Sequence, residues 1–124
     1  MVRIFALLGA FNMAVGIALG AFAAHALKTQ LEANALAVFQ TGVQYQIYHA
    51  LGLLFVAALT HAYPQAKGLR SGGILLAVGI LLFSGSLYLL ALTGQKWFGP
   101  ITPLGGAAFI LGWLRIFWAM LKAL

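Results

Sequence analysis

One stretch, Gln40-Thr41-Gly42-Val43-Gln44-Tyr45-Gln46-Ile47-Tyr48-His49-Ala50, sets amides, phenols and an imidazole at the head of an otherwise apolar run. Polar groups at membrane depth cost free energy unless they find partners, so the stretch implies a packed neighbour, a wet cavity or a ligand. At about 3.6 residues per helical turn, Thr41, Tyr45 and His49 make one row, and Gln40, Gln44 and Tyr48 the row beside it. The residues from Ala50 to Thr60 are almost wholly apolar, which confines this wide polar face to one leaflet.

Three chemistries suit such a face. An enzyme would use His49 as base with Tyr45 or Ser86 as acid or nucleophile. No carboxylate is at hand to orient the imidazole, so the triad logic fails and no catalytic residue is assigned. A metal or an axial haem iron would draw on His25, His49 and Tyr45. Neither histidine belongs to an H-x-x-x-H pair, and a hydrogen-bonded imidazole is the expectation, with no metal and no cofactor. A bound ring or headgroup stacked on Tyr45, Tyr48 and Tyr88 needs no acidic residue at all. Cysteine is absent, which removes disulfides, thiolate ligands and a sulfur nucleophile.

The elements that must position these groups follow from composition. Hydrophobic residues make up 64% of the 124 and charged residues 6%, a balance that would precipitate a soluble domain. The formal charge of +6 would suggest nucleic acid only if Lys and Arg formed a patch. They stand singly between apolar runs, so no nucleic-acid partner is expected, and the bilayer is the primary one.

Four such runs, roughly 4–24, 43–62, 72–93 and 101–121, each approach the ~20 residues that cross a bilayer as a helix. The first carries Arg3 and a string of alanines like a signal peptide, but its apolar length exceeds a usual signal core and predicts a retained span. Short connections after the second and third runs force antiparallel neighbours. The predicted fold is all-α, one four-helix transmembrane domain over residues 1–124.

Arg3, Lys67, Arg70 and Lys122 share one side of these spans, and Lys28 and Lys96 the other. The bias favours a multi-pass inner (plasma) membrane protein with both termini cytoplasmic. Arg115 is near enough to Lys122 to snorkel to the same headgroups, with Trp113 and Trp118 beside it as interfacial anchors.

Small residues mark the contact seams: Gly9, Gly16 and Ala23 in the first run, Gly72, Gly79, Ser86 and Thr93 in the third, Gly105 and Gly112 in the fourth. Asn12 is expected to bond across to another helix. Leu27 to Phe39, which holds the chain's one acidic residue, Glu32, reads as a connector or as a short interfacial helix over the polar face.

The leaflet that holds the polar face also receives His25 and Lys28, then Ser84, Ser86, Tyr88 and Thr93, then Thr102 and Pro103. Convergence from all four spans is the main inference. It has two readings, a binding pocket formed by His25, Gln40, Thr41, Gln44, Tyr45, Tyr48, His49, Ser84, Ser86 and Tyr88, or an internal hydrogen-bond network that holds the helix ends.

Four segments carry a family resemblance: Gly20-Ala21-Phe22-Ala23-Ala24-His25-Ala26-Leu27, the run from Phe39 to Leu51, Leu82-Phe83-Ser84-Gly85-Ser86-Leu87-Tyr88, and Ile101-Thr102-Pro103-Leu104-Gly105-Gly106. Through them the chain resembles domain-of-unknown-function family 423, small four-span membrane proteins of the YgdD/YwdK kind, similar to the eukaryotic transmembrane protein 256 family. The resemblance implies an inner-membrane protein without an established activity, and its characteristic positions fall on His25, Thr41, Tyr45, His49, Ser84, Ser86 and Tyr88.

Two functional classes stand ahead of an enzyme. The favoured one is an accessory protein that holds a lipid, a quinone or a membrane-protein partner, including a second copy of itself, against the aromatic face. The alternative is a transporter or channel for an ion or small solute that is not coupled through an intramembrane carboxylate, since none exists.

Overall fold

In a computed structural model that describes residues 1–124, the chain forms four helices long and apolar enough to cross a membrane. These are α1 (Val2–His25), α2 (Ala33–Ala62), α3 (Leu69–Thr93) and α4 (Thr102–Ala123), with no strand. Each link is tied by a local device. Gly68, at φ 102°, turns the chain into α3, and Gly94, at φ 71°, closes α3 while its N–H bonds the Leu90 carbonyl. Pro103 stands in the first turn of α4, where a missing N–H costs nothing.

Small residues decide how near the helices come. A Cβ on Gly9 would lie 2.8 Å from the Ala50 carbonyl, so α1 lies backbone to backbone on α2. One on Gly72 would lie 3.1 Å from the Gly112 carbonyl, so α3 and α4 meet in the same way. In lipid, where apolar burial drives little helix association, such close packing is the main attraction. The expected seams therefore lie inside the bundle, except that Thr93, the last member of its series, is exposed.

Helix α3 packs against both α2 and α4, whereas α1 packs chiefly on α2. Two apolar clusters result. The larger joins Phe5, Leu53, Leu76, Ile80, Phe109 and Ile116 from all four helices; the smaller joins Ala23, Leu27, Phe39, Val43 and Ala91 at the other end. The outward faces, including Phe11, Leu81, Ile110 and Phe117, are apolar and exposed, as a lipid-facing surface requires.

Several expectations change. Helix α2 starts at Ala33, ten residues before the predicted span, so Leu27 to Phe39 is neither a separate interfacial helix nor a plain connector. Only Leu27–Thr29 forms a short 3₁₀ turn, and the rest continues α2 because nothing from Ala33 onward breaks a helix and Phe39 is buried against Tyr88. At 30 residues α2 is about 45 Å long, beyond the ~30 Å hydrocarbon core, so its first turns stand at or above the headgroups. Helix α3 starts three residues early, at Leu69. At its centre Ile80–Ser84 forms a π-turn, in which the Gly85 N–H bonds the Ile80 carbonyl. Such a turn shifts the phase of everything beyond it by about 100°.

Trp113 is not an interfacial anchor. Its ring fills the space left by Gly52 on α2, between α2 and α4.

Candidate functional site

The polar face of α2 divides among three surroundings. Gln46 turns into the bundle, 4% exposed, and links three helices. Its Nε2 donates to both the backbone carbonyl and the side-chain Oδ1 of Asn12 on α1, each at 3.2 Å. Its Oε1 accepts from the Tyr88 hydroxyl on α3 at 2.5 Å. Asn12 in turn donates to the Leu8 carbonyl at 2.9 Å, and the Tyr88 ring packs on Phe39 with centroids 4.8 Å apart. Every sealed side-chain nitrogen and oxygen in the protein has a partner, and this chain of groups is closed.

At the end of the π-turn and just past it, Ser84 and Ser86 point to different helices. Ser84, 1% exposed, donates to the Gly42 carbonyl of α2 at 2.7 Å. Ser86 donates to the Phe83 carbonyl at 2.9 Å, so its 2.6 Å contact with Thr102 on α4 has the threonine as donor, because a hydroxyl has one proton to give. Gly42 allows this approach, since a Cβ there would strike the Tyr88 ring at 2.8 Å.

The third region lies between α2 and α4. His49 is 6% exposed and stacks flat on Phe109, with ring centroids 3.5 Å apart and planes 7° apart. Its Nδ1 lies 2.8 Å from the Tyr45 carbonyl. A carbonyl only accepts, so Nδ1 carries the proton and Nε2 presents its lone pair. Neither this Nε2 nor the Tyr45 hydroxyl has a hydrogen bond within the chain, and neither is sealed from the surface. Both residues line one groove of about 660 Å³ with Phe83, Phe109, Trp113 and Phe117. Tyr45 packs on Phe83 at 4.7 Å, so the groove wall is a continuous run of rings.

The remaining candidates lie elsewhere. Gln40, Gln44 and Tyr48 face outward from α2, and Gln44 Nε2 donates to the Tyr48 hydroxyl at 2.7 Å. Side chains lean toward a helix N-terminus, so this pair reaches toward the headgroups that α2 overruns. Half-buried Thr41 donates back to the Ala37 carbonyl at 3.0 Å. His25, the last residue of α1, is exposed and makes no hydrogen bond to Tyr45, His49 or the serines. Thus Tyr45 and His49 share one region, Tyr88 joins a second, Ser84 and Ser86 tie helices, and His25, Gln40, Gln44 and Tyr48 stand apart from all of these.

Sequence reasoning missed Gln46, the centre of the closed network. The signal was present: Val43, Ala50 and Leu53, at three before, four after and seven after, are all core residues on the same helical face.

Comparison with known proteins agrees with this architecture. The family model described as "Protein of unknown function (DUF423)" matches residues 19–106. The UPF0382 membrane protein YwdK of Bacillus subtilis (strain 168) is 46% identical over 122 residues, 98% of this chain and 99% of its own. A UPF0382 membrane protein of Staphylococcus saprophyticus is 43% identical over 92% of this chain and 93% of its own, and one of Haemophilus influenzae is 43% identical over 86% and 85%. No solved structure matches. With the four spans and these full-length relatives together, the chain belongs to the DUF423 family of UPF0382 integral membrane proteins.

Proposed function

We propose that this membrane protein is a binding protein of the lipid phase, which holds a quinol or quinone ring in the groove between α2 and α4. The observation that carries this reading is the pair of unbonded polar atoms, His49 Nε2 and the Tyr45 hydroxyl, on a wall otherwise made of aromatic rings. The imidazole lone pair accepts from a quinol hydroxyl and the phenol donates to a quinol or quinone oxygen, while half-buried Phe83 and exposed Trp113 pack on the ring. A groove of about 660 Å³ suits a small-molecule head, and its open side lets an isoprenoid tail lie along α4 in lipid. The closed Asn12–Gln46–Tyr88 chain favours this reading over a solute path through the bundle. The Lys and Arg bias supports an inner-membrane location with both termini cytoplasmic.

Quinone content of protein extracted in mild detergent tests the proposal. A near-stoichiometric quinone in the wild type is expected, lost in Tyr45→Ala and His49→Ala and kept in Gln44→Ala. Equal content in all four proteins, or none in any, would overturn it. Since the chain lacks cysteine, orientation is read directly: an impermeant maleimide added to intact cells should label Gln30→Cys and leave Ala123→Cys untouched.

A further inference from the structure

A second hollow lies at the opposite end of the bundle, the end that carries both termini. It holds about 780 Å³ between the Tyr63–Gly68 turn and the last two turns of α4, and Lys67, Arg115 and Lys122 line it. No acidic side chain faces these charges, for Glu32 is the chain's one acidic residue and sits beyond the far end of α2.

The arginine is held in place. Its Nε donates to Ser71 Oγ at 3.0 Å, and Ser71 donates to the Gly68 carbonyl at 3.1 Å. Gly68, in the left-handed region that favours glycine, sets the turn beside the guanidinium, where a Cβ would make only ordinary contact at 3.4 Å from an Nη. Of five guanidinium N–H donors only the Nε proton is used inside the chain, which leaves both terminal nitrogens for an acceptor. The Lys122 ammonium lies 5.0 Å from the centre of the Trp118 ring, and Trp118 and Tyr63 stand at the hollow's edge, residue types that favour headgroup depth. Leu111 and Leu114, both exposed, stand one turn before Arg115 and Trp118 in the same rows of α4 and form a track for acyl chains.

We propose that this hollow binds the phosphodiester of an anionic glycerophospholipid, with Arg115 as the fork and Lys67 and Lys122 as flanking charges. Charge and position select the occupant: three unpaired cations call for an anion, and the apolar track calls for one attached to acyl chains.

The test uses the full chain in nanodiscs of equal phosphatidylglycerol and phosphatidylcholine, with the lipids retained on the ejected protein counted by native mass spectrometry. Phosphatidylglycerol should be enriched at least tenfold over phosphatidylcholine, and Lys67→Gln and Lys122→Gln should each cut the enrichment about fivefold. Arg115→Lys, which keeps the charge and loses the fork, should also lower it, while Arg3→Gln, on the same side outside the hollow, should not. Both lysines are exposed, so folding does not confound their variants. Equal retention of the two lipids, an Arg3→Gln loss as large as that of Lys67→Gln, or an Arg115→Lys protein equal to wild type would overturn the proposal. Displacement of phosphatidylglycerol by inorganic phosphate would overturn it too, as a site for the free anion.

Discussion

Gln46 and His49 stand less than one turn apart on α2, yet one is fully paired inside three helices and the other is paired on one nitrogen only. The amide has two donors and an acceptor to satisfy, and meets an amide and a phenol that do so without water. The imidazole meets a flat ring on one side and its own backbone on the other, and its second nitrogen opens on a groove. Where a polar side chain inside a membrane is completed by neighbours it acts as structure; where it is half completed it is free to recognise something else.

Four measurements break or sharpen that contrast. Gln46→Leu should have the largest effect, because it leaves Asn12 Oδ1 and the Tyr88 hydroxyl unpaired inside the bundle. A loss of about 2 kcal/mol in unfolding titrations in mixed micelles is expected. Replacing Asn12 and Gln46 by Leu and Tyr88 by Phe together should recover part of that loss, since no lone polar group then remains; a triple variant weaker than the single one would contradict the closed-network account. Tyr88→Phe alone should cost about 1 kcal/mol, and a double-mutant cycle with Gln46→Leu should return a coupling of that order. His49→Phe keeps the stack on Phe109 and forgoes only the bond to the Tyr45 carbonyl. It should change stability by less than about 1 kcal/mol while removing the bound quinone, and a larger loss would move His49 to the structural side.

What could be read from the chain divides along the same line. Embedding in the bilayer, helix number and antiparallel order were legible, because hydropathy, span length and loop length are local quantities. So were the seams at Gly9, Gly16, Gly72 and Gly105, since small residues at a helical period have few other uses in lipid. Asn12 was rightly expected to bond across helices, and its partner, Gln46, was passed over for the more conspicuous row of Thr41, Tyr45 and His49. His25, Gln40, Gln44 and Tyr48 shared a leaflet with the other candidates but not a direction, and a leaflet is only a depth.

Sequence alone thus determined which solvent this protein lives in, how often it crosses it, and at what height its polar groups stand. Tertiary structure decided the azimuth: which of those groups turn inward, which pair meets across α2 and α3, and which nitrogen is left over. Height follows from counting residues along a helix axis. Azimuth depends on how the glycine seams seat each helix against the next and on a π-turn at Ile80–Ser84 that resets the phase of α3, and both are settled only when the helices pack.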